Sequence, residues 1–246
     1  MGLVWFRGQG QLDGWDLRPP LFRHPTKTAN ELLYEDHVLL SEFMRVAPQL
    51  VTDQPRDHWD WYFLMQHYGA PTRLLDWSDN ALVALYFAVS SRVRNPDKHT
   101  GNPVVFAVDP WWLNDTVFGK ARLSTDKRPS GIISPKWDIA DFYLPKDLFR
   151  DYVRKKYPLA IDPPHVSRRI AAQRSRFIIF GKDPNALNAL AAASPRASLI
   201  AIPIHAQRAG YIHKELLAFG ISHNTLFPDL HGLALELQEK WRSGRM

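Results

Sequence analysis

The sequence predicts an α+β fold, a single domain with a mixed central sheet flanked by helices. Short apolar runs alternate with amphipathic stretches along the 246 residues, and Gly and Pro separate them. Hydrophobic residues make up 45% and aromatic residues 12%, which is the composition of a globular chain. No internal repeat or long linker divides the sequence. Residues 1–246 are therefore predicted to form one domain, with 110–156 as a possible surface insertion.

Strands and helices alternate in the first part of the chain. The predicted elements are a strand at 3–7 closed by Gly8, a helix of about 17 residues capped by Asn30, a helix at 58–68 capped by Asp57, an extended piece at 72–76, and a helix at 81–92 capped by Ser78 or Asp79. The last helix carries small residues on one face, Ala81, Ala84 and Ala88, so we expect another element to pack closely against it.

The same alternation continues in the rest of the chain. The predicted elements are strands at 103–109, 157–162, 175–180 and 197–204, helices at 165–173, 185–193 and 207–219, and a final helix from Pro228 to Arg242. The pattern is weakest at 110–156, where short amphipathic pieces carry alternating charges. That weakness is the reason for predicting an insertion there.

Several classes of protein are excluded or disfavoured. Cysteine is absent, which excludes disulfides, Cys-ligated zinc and a Cys nucleophile. The longest uncharged apolar run, 81–91, is far shorter than the roughly 20 residues of a membrane span. No signal peptide is evident, so the protein is predicted to be cytoplasmic with no membrane partner. No histidine pair has the i, i+4 spacing of a helical metal site, and no metal is expected.

The first candidate site residue is Arg7, which stands beside Gly8 at the end of the first predicted strand. A guanidinium next to bare backbone presents a planar fork of donors, which suits a phosphate or a carboxylate. The alternative is an ordinary surface arginine that pairs with an acid.

The second candidate is the segment 66–78, which places many polar side chains between two apolar helices. Buried polar groups are costly unless they have partners, so this segment indicates a binding site, an internal network, or both. In the second interpretation Arg73 and Asp76 pair and hold the loop. The helix after Ser78 offers free N–H groups to an anion, although Asp76 and Asp79 favour self-capping there.

The third candidate is the strip 163–182, which has a local charge of +5 and no acid in a chain of net charge +6. Gln173, Ser175 and Phe177 alternate along its predicted strand and therefore share one face. Such a strip suits a phosphate-bearing ligand, either a nucleic acid or a dinucleotide, unless acids from elsewhere compensate it. Its basic residues are Arg168, Arg169, Arg174, Arg176 and Lys182.

In their order along the chain, these segments resemble the FRG-domain family. FRG domains are bacterial and phage-associated, and their opening aromatic-Arg-Gly is similar to the first motif of many ADP-ribosyltransferases. The resemblance spans nearly the whole chain, with 110–156 unmatched. It is carried by Phe6-Arg7-Gly8, Leu21-Phe22-Arg23, Glu31, Phe43, the segment 66–78 (QHYGAPTRLLDWS), 84–88, Arg169, Gln173, Phe177, Leu217, Gly220-Ile221 and 226–230.

The resemblance implies an ADP-ribosyltransferase-like fold with NAD as the substrate. Arg7 and Arg73 would clasp the two phosphate charges in forked pairs. Tyr68 or Trp77 would stack on the nicotinamide ring, and Thr72 or Ser78 would orient the ribose. The residues that would contact NAD are Arg7, Gly8, Gln66, Tyr68, Thr72, Arg73, Trp77 and Ser78, and the catalytic candidates are Arg7, His67, Asp76 and Gln173.

The sequence departs from those transferases at the strand that usually bears a catalytic Glu. The comparable segment, 173–177, contains no acid, so Gln173 would substitute as a ribose hydrogen-bonder or the protein would bind without catalysis. Glu215 and Asp229 are later candidates for the carboxylate. The resemblance implies an NAD-binding effector or toxin of bacterial or phage conflict, active in phage defence, which transfers ADP-ribose to a protein or nucleic-acid acceptor or hydrolyses NAD. The alternatives are a nucleic-acid-binding or nucleic-acid-processing protein and a non-catalytic sensor or interaction module.

Overall fold

The strands form one open sheet. A computed structural model describes residues 3–11, 17–94, 101–120, 132–135, 138–147, 156–163, 168–194, 198–242 and 244. Within them the strand order across the sheet is β4-β5-β2-β1-β3-β6. The strands are β1 (Trp5–Gln9), β2 (Leu74–Ser78), β3 (Val104–Val108), β4 (Leu159–Ile161), β5 (Ser175–Ile179) and β6 (Leu199–Pro203).

Every pairing between these named strands is antiparallel. The α+β class is confirmed, while the prediction of a mixed sheet is wrong for the named strands. The reason lies in β1, which sits between β2 and β3. β2 and β3 run in the same direction and are joined through a helix, as in a parallel crossover, but the intervening β1 opposes both.

The helices mostly follow the predicted pattern. Thr28, and not Asn30, caps the first one: its side chain accepts from the Glu31 N–H, and Glu31 closes a capping box. The predicted cap at Asp57 is confirmed, since its side chain accepts from the Asp60 N–H. The helices are α1 (Ala29–Val46), α2 (His58–His67), α3 (Ala81–Arg94), α4 (Pro110–Lys120), α5 (Asp138–Asp141), α6 (Arg168–Ala172), α7 (Ala186–Ala192), α8 (Ala209–Ala218), α9 (His223–Leu226) and α10 (Leu230–Arg242).

α3 crosses directly over β1, as its small-residue face predicts. A Cβ on Gly8 would lie 1.8 Å from the Ala84 carbonyl oxygen and 2.6 Å from the Ala88 nitrogen. Only glycine therefore fits at this crossing. The glycine of the Arg-Gly pair is required by the packing of a helix on a strand, and this requirement fixes Arg7 relative to α3.

The opposite face of the sheet carries the large core. Trp5 belongs to that core, while the next residue, Phe6, packs with Ala84 and Ala88 of α3. α2 contributes most of the aromatic packing, with Phe63 stacked on Phe177 of β5 at 5.2 Å between ring centroids.

The described parts of 110–156 belong to this core. The buried Asn114 side chain of α4 exchanges hydrogen bonds of 2.9 and 2.8 Å with the backbone of Ala160 in β4. Ile133 and Tyr143 are also buried in the large cluster. The surface insertion predicted for 110–156 is therefore wrong for these parts. Residues 121–131, 136–137 and 148–155 lie outside the described residues, as do residues 165–167 of the predicted helix at 165–173.

No helix in the described part of the chain has the length and apolar character needed to cross a membrane.

Candidate functional site

A cleft of about 440 Å³ opens between β1 and β2. The two strands pair at Phe6 and Ser78, and beyond that position they diverge. Residues from both faces of β1 line the cleft, Phe6 and Gly8 from one face and Arg7 and Gln9 from the other, which places it in the gap at the edge of the strand. Its volume lies in the range of pockets that hold small molecules.

Arg7 fills the point where the two strands separate. Its Nη1 donates to the Asp76 carbonyl oxygen at 2.7 Å. In a continuous strand pair, a backbone N–H of the neighbouring strand would donate to such a carbonyl instead. Its side chain is only 15% exposed, and its Nε has no hydrogen-bond partner within the part of the chain that the structure describes. Burial lowers the pKa of Arg7 to about 10, so the group stays charged at neutral pH. A desolvated guanidinium with a free donor is a strong anion-binding group.

Two further buried side chains bring unpartnered polar atoms to the same cleft. Gln9 is 6% exposed, and neither its Oε1 nor its Nε2 has a hydrogen-bond partner among the described residues. The Nε1 of Trp77, another residue that lines the cleft, has none in the described part of the chain either. Buried polar groups are nearly always paired in native proteins, so this cluster indicates that a ligand or ordered water supplies the partners.

Asp76 carries the carboxylate of the cleft. Its side chain is 54% exposed and lies 4.0 Å from Arg7 Nη1. Gln66 Nε2 donates to its Oδ2 at 2.9 Å, and the Gln66 Oε1 accepts from the Thr72 hydroxyl. Gly69, with φ +83°, ends α2 and donates to the Gln66 carbonyl oxygen at 3.0 Å, so the chain turns back towards β2. Gln66 and Thr72 therefore hold Asp76 in place.

Positive charge is in excess around this carboxylate. Arg7, Arg23 and Arg169 all have Asp76 as an electrostatic neighbour, and Arg169 has Asp229 as a second one. Burial lowers the pKa of each of the three arginines. Three guanidinium groups have two carboxylates, Asp76 and Asp229, as neighbours, and the remaining positive charge favours an anionic ligand.

The far wall of the cleft comes from Arg169 of α6, from Gln173 and from Ser175 of β5, and α9 packs behind it. Arg169 Nη1 donates to the His67 carbonyl oxygen at 2.9 Å, and its guanidinium lies 4.4 Å from the centre of the Phe227 ring. Gln173 Nε2 donates to the Leu226 carbonyl oxygen at 3.0 Å. The Ser78 hydroxyl donates to the Gln173 carbonyl oxygen at 2.8 Å, which joins β2 to this wall.

Asp79 neutralises much of the basic strip 163–182. Its carboxylate lies 2.5 Å from Arg174 Nε and 2.7 Å from Arg176 Nη2, and Asp162 lies 3.3 Å from Arg176 Nη1. The strip is thus compensated by acids from elsewhere in the fold. The Arg168 side chain lies outside the described residues. The sequence predicts Gln173, Ser175 and Phe177 on one face of the strand. Gln173 and Ser175 both line the cleft, whereas Phe177 is buried in the core.

Arg73 does not reach the cleft, and its predicted pair with Asp76 is wrong. It is fully buried, and its Nε donates to Asp36 Oδ2 at 2.7 Å. Its Nη1 and Nη2 donate to the carbonyl oxygens of Phe180 and Tyr143. Burial opposes the charged form of Arg73, but Tyr62 and Asp36 outweigh it and raise its pKa. Arg73 joins α1, β2 and the ends of two later segments, and it is not available to a phosphate.

The other predicted residues divide between the cleft and its surroundings. Gly8, Gln66, Asp76, Trp77, Ser78 and Gln173 line the cleft together with Arg7. Thr72 is buried behind Gln66, and Tyr68 is 69% exposed and lies outside the cleft. The His67 side chain lines a separate cavity of about 240 Å³.

The sequence prediction did not place Gln9 and Arg169 in the site. Gln9 is two residues from Arg7 on the same strand face, and that spacing could have identified it. Arg169 stood in the basic strip, but the sequence gives no sign of which of its arginines an acid would compensate.

Residues 2–97 match the family model of the FRG domain. This FRG segment contains β1, α1, α2, β2 and α3, so it supplies Arg7, Gln9, Gln66 and Asp76. The wall formed by Arg169, Gln173 and Ser175 lies beyond it. No curated protein and no solved structure matches the chain.

Proposed function

We propose that the cleft binds NAD as a substrate, and that the protein is an ADP-ribosyltransferase-like enzyme that transfers ADP-ribose to an acceptor or hydrolyses NAD. The observation that carries this proposal is the set of unpartnered polar atoms on Arg7, Gln9 and Trp77, within an excess of guanidinium charge.

The charge of the cleft fits a diphosphate. NAD carries two phosphate charges, and Arg7 and Arg169 line the cleft from opposite walls. The Nε of Arg7 lacks a partner, and a phosphate oxygen is the acceptor that would satisfy it most strongly. The amide of Gln9 and the indole N–H of Trp77 suit the hydroxyl and amide groups of the same ligand.

The chemistry requires a carboxylate near the reacting sugar. When the bond between the ribose carbon and the nicotinamide nitrogen breaks, its electron pair leaves with nicotinamide, and positive charge develops on the ribose. Among the described residues that line the cleft, Asp76 is the acid, and Gln66 holds its Oδ2 at 2.9 Å. In this proposal Asp76 stabilises that charge, the role of the missing Glu. Water or an acceptor then bonds to the ribose carbon and releases a proton.

Gln173 has a positioning role in this proposal. Its amide already donates to the Leu226 carbonyl oxygen, so its side chain holds α9 against the cleft. Because Asp76 supplies the carboxylate in this proposal, Gln173 does not have to take the place of a catalytic acid.

Calorimetry and NAD turnover test the proposal with two variants and one control. Arg7→Ala should weaken NAD binding at least tenfold, because a charge-assisted contact of about 1.5–3 kcal/mol is lost. Asp76→Asn should bind NAD but lose about a hundredfold in turnover. Arg45→Ala, on the exposed side of α1 where it pairs with Glu42, should behave as the wild type.

Wild-type protein that neither binds nor consumes NAD at millimolar concentration would overturn the proposal. Binding that depends on Arg7 with no turnover of NAD would point instead to a non-catalytic nucleotide sensor.

A further inference from the structure

A second cavity of about 240 Å³ lies beside the cleft, between α3 and α9. Phe87 and Ser91 of α3 line both cavities, so the two are adjoining compartments along one helix. We refer to the second one as the aromatic compartment. Its other walls include Tyr86, Arg94, His223 and Phe227.

A stack of three side chains connects the aromatic compartment to the cleft. The His223 ring stacks on the Phe227 ring with 4.3 Å between centroids and 20° between planes. The Arg169 guanidinium lies 4.4 Å from the same Phe227 ring centre. Two groups this close cannot share one face of a ring, so they occupy opposite faces. Arg169 thus faces the cleft while His223 faces the aromatic compartment.

His223 brings an unsatisfied polar atom to the aromatic compartment. The residue is 7% exposed, and its Nδ1 has no hydrogen-bond partner among the residues that the structure describes. Burial lowers the pKa of His223 to about 4, so the ring is neutral at neutral pH and offers a single directed hydrogen bond at that nitrogen. A hydrocarbon ligand would leave this bond unmade, and a buried polar atom without a partner is costly.

We propose that the aromatic compartment binds the purine base of a nucleotide whose phosphates lie at Arg7 and Arg169. This inference rests on the proposed function, because it assigns the compartment to the adenine end of NAD. Phe87 offers a ring surface for stacking, since both faces of Phe227 are already covered, and His223 Nδ1 offers a hydrogen bond to the edge of the base.

Arg94 completes the compartment as a planar cation at its edge. Its Nη2 donates to the Tyr86 hydroxyl at 2.7 Å and lies 3.7 Å from Glu239 Oε2. Because Glu239 already offsets its charge, Arg94 favours stacking on a neutral ring over binding a further phosphate. A neutral base in this compartment and a charged diphosphate in the cleft agree with this division of charge.

Adenosine monophosphate and nicotinamide mononucleotide separate the two ends of the proposed ligand. Each has one ribose and one phosphate, but only the first has a purine. The variant His223→Phe keeps a ring stacked on Phe227 and removes Nδ1. It should weaken the binding of adenosine monophosphate by about threefold to tenfold in calorimetry, and leave nicotinamide mononucleotide unchanged.

A second variant covers the case in which His223→Phe does not fold. Phe87→Ala removes a stacking surface and should weaken adenosine monophosphate by about tenfold. His205→Phe is the matched control, because His205 is exposed and lines neither cavity, and it should bind both nucleotides as the wild type does. Thermal melts identify any variant that loses its fold.

The outcomes distinguish the two proposals. If NAD binds through Arg7 while both compartment variants bind adenosine monophosphate like the wild type, the base compartment is wrong and the proposed function stands. If adenosine monophosphate depends on His223 but NAD is neither bound nor consumed, the compartment stands and the proposed function fails. If the wild type binds none of the three nucleotides, both are overturned.

Discussion

Arg7 and Arg73 lie in the same FRG segment, and the fold uses them in opposite ways. Arg73 is sealed in the core, where its donors meet Asp36 and two backbone carbonyls. Arg7 lies at the wall of a cleft, donates to one backbone carbonyl, and keeps its Nε without a partner. A cation with all its donors satisfied inside the protein serves the fold, while a desolvated cation with one donor left over can take a ligand.

The segment 66–78 shows the same division over a few residues. Thr72 and Arg73 point inward to the core, while Gln66 and Asp76 face the cleft. The two interpretations of this segment, an internal network and a binding surface, therefore both apply, each to different residues. Substitutions of the inward-pointing residues should lower stability, and substitutions of the residues that face the cleft should mainly lower ligand binding.

The largest loss of stability is expected from Arg73→Ala. It leaves the Asp36 carboxylate buried without its cation, which should cost about 3–5 kcal/mol in the free energy of unfolding, measured in urea. The double variant Arg73→Met with Asp36→Leu removes both charges and should cost less than Arg73→Ala. An unchanged unfolding midpoint for Arg73→Ala would contradict the claim that Arg73 stabilises the fold.

A large effect is also expected from Gly8→Ala, next to Arg7. The new methyl group would meet the Ala84 carbonyl oxygen, so β1 and α3 must separate, at a cost of about 1–3 kcal/mol or more. Thermal melts should show the loss, and ligand binding should fall with it because Arg7 moves with β1. Gly119→Ala is the matched control, because no described atom outside the adjacent helix backbone lies within 4 Å of the added carbon. Equal melting temperatures for the two variants would contradict the close crossing.

A moderate loss is expected from Tyr62→Phe. The Tyr62 hydroxyl donates to Asp36 Oδ1 at 2.8 Å and accepts from the Arg73 N–H at 2.8 Å, so its removal leaves two buried groups with one partner fewer. We expect a cost of about 1–2 kcal/mol in urea unfolding and no change in nucleotide affinity. A change in affinity without a change in stability would connect this network to the cleft.

The smallest effect on stability is expected from Arg7→Met. It replaces a desolvated, incompletely paired cation with an apolar side chain of similar length, so the free energy of unfolding should change by less than about 1 kcal/mol, in either direction. Binding of nucleotide, if the proposed function is right, should nevertheless be lost. Marked unfolding of this variant would mean that Arg7, like Arg73, is required for the stability of the fold.

Local patterns predicted the elements that depend on neighbours in the sequence. The cap at Asp57, the small-residue face of α3 and the short strands follow from spacing and propensity over a few residues. Arg73 could not be assigned in this way, because its partner Asp36 lies 37 residues away on another helix. The direction of strand pairing failed for a similar reason, since only the placement of β1 between β2 and β3 decides it.

The cleft was predictable only in part. Arg7, Gln66, Asp76 and Gln173 were identified as candidates from residue type and from the FRG resemblance, and all of them line it. Which arginines remain available to a ligand depends on distant acids such as Asp79, which faces Arg174 and Arg176 and not Arg169.

The contacts of Arg73 mean that the FRG match does not mark out a piece that can fold by itself. Two of its carbonyl acceptors, on Tyr143 and Phe180, lie well beyond residue 97, and so do β3 and β5, the outer neighbours of β1 and β2. A chain cut at residue 97 would leave a guanidinium stranded in its interior and two strands with bare edges. Any replacement for the residues after 97 would have to supply both carbonyl acceptors to keep this guanidinium satisfied.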